Sequence, residues 1–260
     1  MEALKQPQLG KTIQALRLEK KLTQEELVDK CNVNVRTLQR IEAGDVSPRE
    51  YTIKAIFEAL DSQLEQVATS IGRKSSIQKM NIGWVAGVVF FVFGFGEAII
   101  DYVRFEDDLP IYFPFIYTSI KVIVLVAYAL FMLGFAEAGK TLKSSILRIS
   151  AYLMMGSMIV IELYDIISIF SGLTLDEFIK IRGFESVALG GVDIVFGIAL
   201  IKIGKQLGMT SFAAGFFEVI IGICFVTFFL AFLGLIFMIP AVLLEVIVLY
   251  KCYELVQGKA

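Results

Sequence analysis

Two groups of charged residues in this sequence stand where charge can do chemistry. The first is Arg36 and Arg40, four residues apart in a short segment of helical periodicity, Val35 to Glu42. A guanidinium offers a planar fork of donors that matches the O6 and N7 acceptors of guanine in the DNA major groove, whereas Val35 beside it can touch only a thymine methyl. The second group lies inside long apolar stretches: Glu97, Lys121, Glu162, Asp165 and Asp193. Ionisable side chains are costly in hydrocarbon and normally face a partner or water there. Glu162 and Asp165 are three apart and share a helix face, Lys121 can neutralise one carboxylate, and Glu218 and Glu245 form a separate layer. Such a set can hold an ion, a proton or a small cationic ligand, or it can be a set of paired structural contacts.

Other chemistry is excluded by composition. The chain contains no histidine, which removes Ser-His-Asp and Cys-His nucleophilic catalysis, histidine general bases and His-ligated zinc. Cys31, Cys224 and Cys252 are far apart and form no CxxC, so neither a disulfide framework nor a thiolate metal site is supported. No cofactor, no metal and no enzymatic activity are expected.

The 260 residues are 57% hydrophobic and only 19% charged, with a mean hydropathy of +0.73. Soluble domains are less apolar and more charged, so much of this protein belongs in lipid. The apolar character is not uniform. Residues 1–79 hold 13 Lys/Arg and 11 Asp/Glu, a net of +2, whereas residues 80–260 carry a net of -4. Met1 to Gly10 lacks the basic and apolar regions of a signal peptide. The expected organisation is a cytoplasmic domain over residues 1–71, a polar linker over 72–79 and a membrane domain over 80–260.

Five short helices are expected in the first domain. One runs from about Gly10 to Lys20, with Ile13, Leu16 and Leu22 facing inward. Thr23 caps the second, with Glu25 and Glu26 in its first turn where the helix dipole favours negative charge, and it ends near Cys31. Asn32 suits a left-handed turn position, Asn34 can cap the third helix, and Gly44 closes it. Pro48 suits the first turn of a fourth helix ending near Leu60, and a fifth runs from about Gln63 to Ile71.

The stretch Leu22-Thr23-Gln24-Glu25-Glu26-Leu27, followed by Val33-Asn34-Val35-Arg36-Thr37-Leu38-Gln39-Arg40-Ile41-Glu42-Ala43-Gly44, resembles the helix-turn-helix domain of the XRE (Cro and lambda-repressor-like) family over about residues 9–68. The resemblance implies a five-helix fold whose third helix enters the major groove. It places Gln24 against a phosphate, sets Val35, Arg36 and Arg40 at base edges or the adjoining backbone, and includes Asn34, Thr37 and Gln39 in the DNA-binding segment. It also implies an ion pair, Arg17 with Glu42, that ties the first helix to the third. Asn32 departs from the family's usual glycine and Val28 from its usual alanine. The modest net charge leaves open a domain that keeps this fold and binds protein instead of DNA.

Six apolar stretches are long enough to cross a bilayer: Ile82–Ile100, Ile116–Phe135, Ser150–Phe170, Val187–Ile203, Phe212–Phe232 and Leu235–Tyr250, the last two split near Gly234. Pro240 is expected to kink the last. Basic residues set the orientation. With the first domain inside, the cytoplasmic flanks hold Arg73, Lys74, Lys79, Lys140, Lys143, Arg148, Lys202, Lys205, Lys251 and Lys259. The external loops hold Arg104, Lys180 and Arg182 beside Asp101, Glu106, Asp107 and Asp108. Both termini are then cytoplasmic. Gly139-Lys140 and Gly204-Lys205 hint at a repeat, and Gly83 and Gly87 form a GxxxG.

The expected fold class is therefore all-α, a five-helix lambda-repressor-like domain followed by a polytopic bundle of about six transmembrane helices. The function read from it is a membrane-bound bacterial transcriptional regulator that binds double-stranded DNA as a homodimer. Lys121, Glu162, Asp165 and Asp193 are its candidate intramembrane sensor for an unknown small ligand or ion, or the six helices serve as an anchor. The alternative is a membrane transporter or channel with a regulatory domain of helix-turn-helix fold.

Overall fold

The computed structural model describes residues 6–106, 108–227 and 230–258, and every described element is an α-helix. Asp107 and Lys259, used above for orientation, lie outside the described residues. The chain divides into two compact units, Met1–Ser75 and Ser76–Ala260.

The first unit is built from α1 (Gln8–Glu19), α2 (Gln24–Cys31), α3 (Val35–Ala43), α4 (Glu50–Ala59) and the first turns of α5 (Leu64–Val103). Local signals set the boundaries. Thr23 accepts a hydrogen bond from the Glu26 N–H at 3.1 Å while Glu26 accepts from the Thr23 N–H at 2.7 Å, a reciprocal capping box that opens α2. These bonds hold the Glu26 carboxyl below the usual carboxylate range, the Thr23 N–H contributing most. Asn32 closes α2 in the left-handed region at φ 51°, Asn34 caps α3, and Gly44 ends α3 at φ 85°. The fourth helix departs from expectation: α4 starts at Glu50 with an extended Arg49 as its cap, and Pro48 stands outside it. Residues 72–79 are helical, within α5.

Leu9, Ile13, Leu27, Leu38, Ile41, Ile56 and Phe57 form the core of this unit, with Val28 accommodated at 5% exposure. Burial pushes the Cys31 thiol up from its ordinary range. The tightest approach is between α1 and α3. A Cβ on Gly10 would lie 2.1 Å from the carbonyl oxygen of Ile41 and 2.9 Å from that of Glu42. Gln6 fastens the same contact, donating to the carbonyls of Ile41 and Val46 and accepting from the Gly10 N–H. Because the obstructing atoms are backbone, Gly10→Ala should force α1 off α3 and destabilise this unit by about 1–3 kcal/mol. A denaturant melt of residues 1–75 measures the loss; an unchanged midpoint would show that the two helices separate freely.

Among the described residues six helices are long and apolar enough to cross a membrane, the first beginning before the second unit and the rest within it: Ile71–Val103, Phe113–Thr141, Ser145–Ser168, Leu175–Leu207, Met209–Val226 and Ala231–Gln257. The last five are α6 to α10 in order. Five of the six expected stretches fall on one helix each, Ser150–Phe170 overrunning α7 by two residues, whereas Phe212–Phe232 straddles the break between α9 and α10. The break in the final apolar run falls between Val226 and Ala231, whereas Gly234 lies inside α10. A Cβ there would meet the Phe225 ring at 2.7 Å, so Gly234 admits a neighbouring side chain and does not end a helix. Pro240 lies within α10. The fourth helix begins at Leu175, twelve residues before the expected Val187, because Thr174 and Glu177 form a second capping box with Asp176 in the first turn. α5 continues to Val103. Asp101, Lys180 and Arg182, expected in loops, are therefore on helices.

Packing in this unit relies on missing side chains. α8 and α9 run antiparallel with Gly190 against Gly222 and Gly197 against Gly215, where a Cβ on any of the four would come within 2.4–2.7 Å of a facing carbonyl oxygen. Such close backbone approach is how membrane helices gain contact where lipid offers no hydrophobic driving force. The expected GxxxG is also a contact: Gly83 meets Gly134, and Gly87 lies under Phe131.

Candidate functional site

On α3 the side chains divide cleanly. Leu38 and Ile41 are fully buried, while Arg36, Thr37, Gln39 and Arg40 are exposed. Arg36 and Arg40 lie one turn apart on the exposed face and make no ion pair among the described residues. Asn34 is spent on the helix itself, its Oδ1 accepting from the Arg36 N–H at 2.8 Å. Val35 is half-buried and packs against the core of the unit.

Behind that face lies a polar chain. Arg17 Nε and Nη2 donate to Glu42 Oε1 and Oε2 at 2.8 and 3.1 Å, and Nη1 donates to the Leu22 carbonyl at 2.8 Å. Both side chains are buried. The bond to Glu42 raises the Arg17 pKa further, against the opposing effect of burial. Glu42 Oε2 also accepts from Gln24 Nε2 at 2.7 Å, and Gln24 Oε1 accepts from Gln39 Nε2 at 3.2 Å. Gln24, assigned above to a phosphate, is thus engaged within the domain and links the buried ion pair to the exposed surface of α3. One Nε2 proton remains for an outside acceptor.

Residues 13–67 match the family model described as helix-turn-helix, HTH_3. The N-terminal domain is an XRE-type helix-turn-helix domain. No curated protein and no solved structure matches the chain. The match ends at residue 67, so the helix-turn-helix domain carries the family relationship and the six apolar helices stand on their own geometry.

Those helices hold two charge clusters. In the first, the fully buried Lys121 of α6 uses its three ammonium protons on Glu97 Oε1 at 2.5 Å, Asp165 Oδ2 at 2.7 Å and Asp101 Oδ2 at 3.1 Å. Arg182 of α8 joins the same two aspartates through Nη2, at 2.7 Å to Asp101 and 2.5 Å to Asp165, and meets Glu185 through Nη1 at 3.0 Å. Arg104 donates to Tyr117 and Ser168, and Tyr117 donates to Asp101. The Phe178 ring lies 5.1 Å from Arg104 Cζ and 4.8 Å from Arg182 Cζ. Four helices are joined in this way. Glu162 is left over: it is fully buried, 3.6 Å from Lys121 Nζ, and no donor among the described residues reaches either of its oxygens. Glu97, Glu162 and Asp165 each offer an oxygen within 4.8 Å of the others, with Lys121 alongside.

Sequence reasoning found Lys121, Glu162 and Asp165 in one cluster but missed Arg182, Arg104 and Asp101. It also misplaced Asp193, whose charged neighbours are Glu218 and Glu245 and not Lys121. A third polar contact was missed entirely. Glu137 of α6, buried, accepts from Ser76 Oγ at 2.6 Å and Lys79 Nζ at 3.1 Å, with Lys140 at 3.5 Å, and so pins α5 to α6 at the other end.

Proposed function

We propose that this protein is a membrane-anchored transcriptional regulator whose helix-turn-helix domain binds double-stranded DNA sequence-specifically from the cytoplasmic side of a bacterial membrane. The supporting observation is α3: its buried face is locked by Arg17 and Glu42, and its exposed face presents Arg36 and Arg40 unpaired among the described residues. One recognition helix reads only a few base pairs, so the reading includes a homodimer on a two-fold operator. Both termini on the cytoplasmic side accord with Lys140, Lys143 and Arg148 around the α6–α7 turn and Lys202 and Lys205 near the α8–α9 turn. Catalysis has no part in it.

Genome-wide crosslinking of the intact protein to DNA tests the proposal, with Arg36→Ala as the comparison. Discrete sites are expected, and Arg36→Ala should weaken specific binding by about 1–3 kcal/mol while relaxing preference at one base pair per half-site. Equal weakening on every DNA sequence in an anisotropy titration would reject base reading by Arg36. Recovery of no enriched sites would reject the regulator. The second reading, a transporter carrying a helix-turn-helix regulatory domain, draws on the buried carboxylates of α7 to α10. Substrate flux through reconstituted vesicles, unaffected by DNA, would favour it.

A further inference from the structure

Asp193 of α8 and Glu218 of α9 occupy matching places in the glycine seam. Gly190-x-x-Asp193-x-x-x-Gly197 and Gly215-x-x-Glu218-x-x-x-Gly222 are the same pattern on two antiparallel helices, and Gly190 faces Gly222 while Gly197 faces Gly215. Each acid therefore sits between two points of backbone contact, and each is about 5% exposed. Glu245 reaches the same place from α10. It is 4% exposed, its carboxyl lies within hydrogen-bonding reach of Glu218, and its Oε1 has no partner. The ring of Tyr128, from α6, completes the surroundings.

The charges bearing on these three acids are one another's. Among the described residues none of the three makes an ion pair with a Lys or Arg, in contrast to the carboxylates around Lys121. Two carboxylates in hydrogen-bonding reach share no hydrogen unless one is protonated, since an ionised carboxylate only accepts. Leaving three carboxylates ionised would also require burying like charges, each at a cost of several kcal/mol after relaxation.

We propose that Asp193, Glu218 and Glu245 form an exchangeable proton-binding site inside the six-helix unit, with a proton held between Glu218 and Glu245 and Asp193 as the third acid. The acids come from α8, α9 and α10, and Tyr128 is the titratable group facing them from α6. Protonation draws α9 and α10 together through the carboxyl–carboxyl bond; loss of the proton sets two negative charges against each other across the same contact. This goes beyond the regulator reading and does not depend on it.

The test is infrared difference spectroscopy of the full chain in lipid, comparing acid and alkaline buffers. A protonated carboxyl in a dry site gives a C=O stretching band separate from the carboxylate bands. That band is expected at neutral pH and should lose most of its intensity in alkali. Glu218→Gln and Glu245→Gln should each shift or abolish it, whereas Glu162→Gln, in the other cluster, should leave this component in place. Thermal melts of the variants confirm that they fold. A band insensitive to both substitutions, or one that persists unchanged in alkali, overturns the proposal. Loss of the band on adding sodium chloride at constant pH overturns it in favour of a metal-cation site.

Discussion

Glu42→Ala is expected to destabilise the helix-turn-helix domain by about 3–5 kcal/mol, the cost of leaving a buried guanidinium without its partner. Arg17 is 7% exposed and gives two donors to Glu42, so removing the carboxylate leaves both facing an apolar interior. The loss also frees Gln24 Nε2, and Gln24 is what holds Gln39 at the exposed surface of α3. Arg17→Met alone should cost a comparable amount. The double variant Arg17→Met with Glu42→Leu should cost clearly less than the two singles combined, because no buried charge is left unpaired. Denaturant melts of residues 1–75 measure all three. Strict additivity would mean that the two side chains contribute independently and that the pair is no unit. DNA affinity adds a separate reading: disturbing Gln24 and Gln39 should weaken binding to all sequences similarly, unlike the base-pair-specific loss expected for Arg36→Ala.

What the sequence displayed about this domain is what acts over short range. Thr23, Asn34 and Gly44 mark helix ends through contacts two to four residues away, and Asn32 takes the left-handed turn that its side chain tolerates. Gln24 was read differently because its partners are 18 and 15 residues distant and belong to another helix. In the membrane half, charge within apolar sequence stood out, so Lys121, Glu162 and Asp165 were visible. Asp101, Arg104 and Arg182 were not, because polar residues near the end of an apolar stretch read equally as loop or as helix. The depth of Asp193 was misjudged for the same reason. With α8 beginning at Leu175, Arg182 falls in the layer of Lys121, and Asp193 lies eleven residues further along the helix, about 16 Å at the α-helical rise. The glycine seam that isolates Asp193 and Glu218 depends on which residues face each other across two helices, which spacing along one chain does not state.

Lys121→Met is expected to be the most damaging single change in the six-helix unit. The ammonium is fully buried and carries hydrogen bonds to carboxylates on two other helices, Glu97 and Asp101 of α5 and Asp165 of α7. Without it, Arg182 still reaches Asp101 and Asp165, but Glu97 and Glu162 face each other with no cation between them. The loss should be about 3–5 kcal/mol, read as a lowered midpoint in thermal unfolding of the full chain in detergent. Arginine is no conservative replacement: a compact point charge on a flexible stem fits a pocket enclosed by four carboxylates, and a planar fork does not. Lys121→Arg should therefore recover only part of the stability. Lys121→Met combined with Glu97→Gln should recover more, because it removes one of the two carboxylates that Arg182 does not reach. Glu162→Gln tests the leftover acid. No donor among the described residues reaches the Glu162 oxygens, which sit beside Glu97 and 3.6 Å from Lys121, so an uncharged amide there adds no negative charge to the cluster and should leave the midpoint unchanged or raised. If Lys121→Met melted like the unaltered protein while Glu162→Gln lowered the midpoint, the cluster would be organised around Glu162, and the Lys121 contacts would be incidental to it.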